Sequence, residues 1–158
     1  MWLPINSKEK GLTLIELLLV LMLLAILFSL AIPVLNRAEQ AWVLKADANR
    51  LAATLRWTRQ EAIFTGQPQS VLFYHDDNCY RVNGKSMQYF NKGIIYVGRT
   101  TFTKKISYTP ACTFSAAGVP SSGGTVTLTN KYNNKLYIIL NPVAARIRVD
   151  DKPPENWE

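Results

Sequence analysis

The chain has 158 residues and a formal net charge of +7, a length that suits one compact domain with an appendage. Two cysteines, one histidine and no CxxC pair argue against zinc-finger and thioredoxin-type chemistry. A mean hydropathy of zero averages two unlike parts, one greasy and one polar.

The first ten residues, MWLPINSKEK, carry Lys8 and Lys10, which favours holding that end in the cytoplasm. From Leu17 to Ile32 the chain reads LLLVLMLLAILFSLAI, with Ser29 the only polar side chain. The 24 residues from Leu12 to Leu35 would rise ~36 Å as a helix, enough to cross a hydrocarbon core with some tilt. A cleaved secretory signal would use Ser29-Leu30-Ala31 as its small-residue site and leave a chain starting at Ile32. Against that stand Glu16 inside the apolar core, Pro33 just beyond the cut, and a continuation that stays helix-like.

Glu16 is the informative residue. An ionised carboxylate in the apolar layer costs ~2.5–3.5 kcal/mol and calls for a partner. No Lys, Arg or His lies between Gly11 and Asn36. Cleavage after Gly11 would create an α-amine on Leu12, belonging either to the same chain or to a neighbouring subunit. The bland alternative is that Glu16 neutralises or snorkels.

Gly11-Leu12-Thr13-Leu14-Ile15-Glu16 resembles the prepilin peptidase signature of type IV pilins and type II secretion pseudopilins. The resemblance implies cleavage after Gly11, N-methylation of Leu12, and pairing of Glu16 with the terminus of an adjacent subunit. Leu12 stands where the family usually has Phe, which keeps the apolar character. Pro33 falls where many pilins have a helix-bending proline; inside a helix it removes a backbone bond and kinks the axis.

From Asn36 to Thr65 the pattern stays helical. Ala41, Leu44, Ala48, Leu51, Ala52, Leu55, Ala62 and Ile63 form one apolar stripe, with Arg37, Lys45, Arg56 and Arg59 mostly off it. Gly66 and Pro68 supply the stop. Short strands are expected at 69–74, 79–82, 94–97, 105–108, 125–130 and 135–140, separated by turn residues such as Asp76-Asp77-Asn78 and Asn133-Asn134. The expected fold is α+β, a helix laid across an antiparallel sheet.

Arg50–Arg56, Arg59–Ala62 and Gly66-Gln67-Pro68 resemble the helix and exit of the GspH/FimT group of minor pilins and pseudopilins. Phe114–Gly118, Gly124–Leu128 and Leu136–Leu140 resemble its closing strands. Many members end their last strand in Gly-Arg-x-Arg, and some use it to bind DNA; here Ala145-Arg146-Ile147-Arg148 matches, with Ala for the Gly. Two arginines two positions apart on a strand point the same way and could grip successive phosphates. Asp150 and Asp151 would weaken that approach, and the alternative is that the arginines pair with them or hold the C-terminal strand in place.

Beyond the first 36 residues, 16 Lys and Arg face 9 Asp and Glu. This surplus permits contact with nucleic acid, anionic lipid or acidic partners, or simply makes a solvated surface. His75 beside Asp76 and Asp77 hints at a metal or general base, but no second His or Ser-His-Asp pattern completes a site, and exposed hairpin-turn residues are the expectation. Cys79 and Cys112 in an exported domain would form one disulfide, adding ~3–4 kcal/mol under the loop-entropy model; two free buried thiols are the alternative. Pro153-Pro154 and Trp157 mark a short tail.

Residues 1–11 are thus expected to be a leader, 12–35 a transmembrane and filament-core helix, 36–66 an amphipathic continuation, and 67–158 a β-rich exported domain. The expected function is assembly of a type IV pilus or type II secretion pseudopilus, without enzymatic activity, cofactor or metal. Expected partners are other pilin or pseudopilin subunits, the prepilin peptidase and an inner-membrane assembly platform. The expected location is a single pass through the cytoplasmic membrane, then a filament after assembly. The alternative function is a pilus-associated DNA-binding subunit.

Overall fold

The computed structural model describes residues 13–154, apart from the side chains of Leu30 and Ala31. The chain divides into two compact units, Met1–Arg37 and Ala38–Glu158.

One helix, α1 (Leu14–Thr65, 52 residues), begins in the first unit and ends in the second. Thr13 caps its start: the threonine hydroxyl oxygen accepts from the Glu16 N–H at 3.3 Å, and its carbonyl accepts from the Leu17 N–H at 3.2 Å. In the first unit the apolar side chains are exposed, from Leu14 (76 %) to Phe28 (62 %), as expected of a helix that has no water-soluble core to join. Pro33 sits inside the helix, which continues through it.

The second unit carries the core. Leu44, Ala48, Leu51, Ala52 and Leu55 of α1 are buried, as the sequence stripe predicts, and so is Ala62. Ala41 is only half-buried, and Ile63 lies outside on the surface. Gly66 ends the helix in the left-handed region (φ 64°), which its missing Cβ makes inexpensive.

Nine strands follow: β1 (Gln69–Tyr74), β2 (Cys79–Val82), β3 (Met87–Tyr89), β4 (Ile95–Tyr96), β5 (Lys105–Ile106), β6 (Thr109–Phe114), β7 (Gly124–Thr129), β8 (Lys135–Leu140) and β9 (Ile147–Asp150). They form two antiparallel sheets, β3-β2-β1-β6-β5 and β4-β7-β8-β9, in place of the single sheet expected. Alternation along the strands sends Val71, Phe73, Tyr80, Val82, Cys112 and Phe114 of one sheet into a shared core with α1. Val126, Leu128, Ile138, Leu140 and Ile147 of the other sheet join them. The fold is one long helix packed on antiparallel sheets, an α+β arrangement.

Three differences from the expected strands have physical causes. β6 is not among the expected strands; its Pro110, which cannot donate to a ladder, lies near the strand's beginning, against the two-residue strand β5. Residues 107–108, expected to extend a strand, instead make a two-residue hairpin loop with both residues left-handed (Ser107 φ 49°, Tyr108 φ 67°), without the Asn-Gly signature of that turn. β3 is three residues long and exposed throughout, too short for an alternation to show.

The Cys79–Cys112 disulfide is corrected. Both thiols are free and buried. Cys79 on β2 lies opposite Tyr74, and Cys112 on β6 lies opposite Val71, so the whole of β1 runs between them. Two strand spacings put the backbones about 9–10 Å apart, and Val71 and Tyr74 point to opposite faces of the sheet. A disulfide needs Cα atoms within about 7 Å and Cβ vectors that converge. Burial pushes the Cys112 thiol up to about 12 and also raises that of Cys79.

Candidate functional sites: the acidic helix start and the basic strand end

Glu16 occupies the first turn of α1, where a negative charge favours the partial positive charge of the helix N-terminus. Thr13 and Glu16 also have the spacing of a capping box, although only the threonine half of it is formed. Among the described residues, no hydrogen bond or ion pair reaches the Glu16 carboxylate. The apolar surface that follows is bare, and this segment is long and apolar enough to cross a membrane. Gly11 and Leu12 lie outside the described residues, as does Trp157.

At the other end of the chain, Arg146 and Arg148 are exposed while Ile147 between them is buried, the alternation expected of a strand. Arg148 sits in β9, paired with Ile139; Arg146 just precedes it. Both line an open groove over Ile139, together with Asn141, Asp150, Lys152, Pro153 and Pro154. Three cations thus face one carboxylate. Arg148 Nε approaches Asp150 at 3.8 Å, a loose exposed pair, and among the described residues the Arg146 side chain has no partner. The Asp150 carboxyl is held below its usual value, first by a hydrogen bond from the Lys152 backbone N–H and in smaller part by Arg148. Asp150 therefore remains charged and tempers the groove.

Two arginines that lie mostly off the helix stripe, within the stretches that resemble the family's helix, hold this segment in place. Arg56 donates to the Ile147 carbonyl at 2.9 Å, and Arg59 donates to the carbonyls of Gly118 at 3.1 Å and Ala145 at 3.5 Å. Ala145 adopts φ 48°, in the left-handed region, at the position where the related pattern has Gly.

His75 is not an exposed turn residue. It is half-buried, its Nε2 accepts from the Thr100 backbone N–H at 3.0 Å, and its ring lies 4.8 Å from that of Tyr96. Burial lowers its pKa first, Arg99 adds to this, and Asp76 opposes it. The neutral ring is a structural acceptor that ties the β1–β2 turn to the segment after β4.

Sequence reading missed Asp47. It is buried (1 % exposed) on the core side of α1, accepting from the Asn91 backbone N–H at 2.7 Å and the Asn91 side-chain amide at 2.8 Å, with Arg50 at 3.0 Å. Arg50 also donates to the Tyr89 carbonyl. The pair clamps the end of β3 to the helix. The available signal was an acid placed in phase with Leu44, Ala48 and Leu51.

Two family descriptions match the chain. "Prokaryotic N-terminal methylation motif" covers residues 6–32, and "Type II transport protein GspH" covers residues 47–150. No curated protein sequence matches. Among solved structures, the minor pseudopilin EpsH from the Type 2 Secretion System of Vibrio cholerae is similar at 12 % identity and TM-score 0.54, over 67 % of this chain and 94 % of that one. The type IV minor pilin FimU of Pseudomonas aeruginosa is similar at 18 % identity and TM-score 0.53, over 68 % of this chain and 87 % of that one. A second crystal form of FimU gives 16 % identity and TM-score 0.51. At such identities the likeness establishes the fold alone; it is the two family matches, on the acidic helix start and on the domain that ends in β9, that make this chain a member of the GspH family of minor pilins and pseudopilins.

Proposed function

We propose that the chain is an assembly subunit of a type IV pilus or type II secretion pseudopilus, anchored in the inner membrane by residues 12–35 with residues 67–158 outside the cytoplasm. Prepilin peptidase removes residues 1–11 after Gly11 and methylates Leu12. The subunit then leaves the bilayer by packing its apolar helix among those of other subunits at an assembly platform, with Pro33 as the point where the helix can bend. The observation that carries this reading is the Glu16 carboxylate, which has no partner among the described residues, at the head of a bare apolar helix that offers no cation of its own. An α-amine on Leu12, made by cleavage, supplies the missing charge. Mass spectrometry of the protein from its own cells should find a methylated Leu12 terminus, and Glu16→Ala should be cleaved yet enter filaments poorly. A chain that begins at Met1 or Ile32 would overturn the reading.

A second reading rests on the groove of Arg146, Arg148 and Lys152: the exported domain binds DNA through its phosphates. In a gel shift with the 38–158 domain, which holds the buried apolar residues of the described chain, binding should weaken steeply with salt and vanish in the Arg146→Ala, Arg148→Ala variant. No shift at low salt removes this reading.

A further inference from the structure

A second basic surface shares no lining residue with the groove of Arg146 and Arg148. Glu39 and Gln40 of α1, Lys92 of the loop before β4 and Lys131 of the β7–β8 turn line one open hollow. Glu39 is the only carboxylate in its lining. Lys135, which opens β8 opposite Thr129 across the β7–β8 turn, and Lys45, three residues after Trp42 on α1, are two further exposed cations. Among the described residues none of these four lysines is in an ion pair. Two of them stand near aromatic rings instead. Lys45 Nζ is 5.9 Å from the centre of the Trp42 ring, and Lys131 Nζ is 5.2 Å from that of Tyr132. Trp42 itself is 71 % exposed.

We propose that this part of the domain is a docking surface for anionic phospholipid headgroups in the outer leaflet of the membrane, an inference that rests on the anchoring proposed above. Position separates it from an ordinary solvated face. Gln40 follows Leu35, the last residue of the apolar run, by five residues. Five residues of chain span at most ~18 Å when extended and ~7.5 Å as helix, against a screening length of about 8 Å at physiological salt. Lys92 and Lys131 line the same hollow as Gln40. Charge agrees with position, since juxtamembrane lysines are drawn to anionic lipid and one acid opposes several cations here. Chemistry agrees as well. An exposed tryptophan and a tyrosine beside lysines suit the headgroup layer, where an amphipathic ring keeps one edge wet. The contact holds the domain against the bilayer while the subunit waits, and assembly gives it up.

The test uses the full chain reconstituted in vesicles of phosphatidylcholine alone, or of phosphatidylcholine mixed with phosphatidylglycerol. A photo-crosslinking residue in place of Tyr132 should give lipid adducts at least roughly fivefold more often in the mixed vesicles, the factor one lysine is worth at an anionic surface. High salt should erase the difference. Combining Lys92→Gln, Lys131→Gln and Lys135→Gln should bring the yield down to that of neutral vesicles, whereas Glu39→Gln should raise it. All four side chains are exposed, so thermal unfolding of these variants should match the wild type. Equal yields in the two kinds of vesicle, an unchanged yield in the triple variant, or adducts with protein alone would overturn the inference. A chain that does not float with vesicles of either kind removes the anchoring reading and this inference with it. Flotation with both, but adducts indifferent to charge, shows that the docking surface alone is wrong.

Discussion

His75 illustrates how a residue that carries chemistry elsewhere can serve architecture. Its Nε2 must stay unprotonated to accept from Thr100, and burial keeps it so. Because its folded pKa lies below the ordinary 6.5, the contribution is fully present above pH 6.5, where both states are neutral. Below 6.5 the unfolded chain takes up a proton that the folded chain resists, so stability is lost as the pH falls through the folded value. Thermal unfolding of the 38–158 domain should therefore shift to lower temperature as the buffer is taken from neutral to mildly acidic. His75→Gln, which keeps an acceptor near the Nε2 position and does not titrate, should reduce that shift; an identical pH dependence would refute the assignment. Asp47 teaches the same lesson from the other side. An acid in phase with core leucines looks like an error of periodicity until Asn91 and Arg50 are seen to satisfy it.

Among the elements, the turn between β8 and β9 is where Ala145 stands in the place of the glycine of the related pattern and where the cost is measurable. Asn141 accepts from the N–H groups of Val143 and Ala144 through its side chain, and its own N–H donates to the Arg146 carbonyl, closing a tight return. That closure puts Ala145 in the left-handed region, which costs an L-residue with a Cβ roughly 1 kcal/mol relative to Gly. Ala145→Gly should raise the stability of the domain by about 0.5–1 kcal/mol in denaturant titration, with the hydrogen bonds from Arg56 and Arg59 retained. A loss of stability would mean that the burial of the Ala145 methyl outweighs the backbone strain. The helix stop at Gly66 and strands β1, β2 and β8 are legible to the residue, because each combines a strong local signal with a clear boundary. β3 and the Ser107-Tyr108 turn are not, because they belong to local hairpins too short to show an alternation; β6 is not, since β1, far back along the chain, pairs with it.

For the molecule as a whole, the two cysteines are the sharpest case of the fold overruling an argument from composition. An exported domain with two cysteines invites a bridge, but strand order places β1 between them. The intact mass of the purified protein should correspond to two thiols, and a reducing agent should leave the unfolding temperature unchanged. Thiol reagents should react only on denaturation, since both groups are buried and neither readily ionises. A reductant-sensitive unfolding temperature would require a different strand order.

The apolar helix, the lone acid at its head, the leader pattern and the stripe that faces the core can all be read from the residues in order. These features are local, written in periodicity, hydropathy and the chemistry of a few adjacent side chains. Other features emerge only once the chain has folded: the strands split into two sheets, the thiols face opposite ways, and Arg56 and Arg59 brace the segment bearing Arg146 and Arg148. Lys92 and Lys131 likewise meet beside Gln40 although the chain separates them widely. Each of these depends on which distant segments share hydrogen bonds. Strand pairing leaves little trace in a single chain, because any strand of the right length and alternation can supply the same ladder of backbone donors and acceptors.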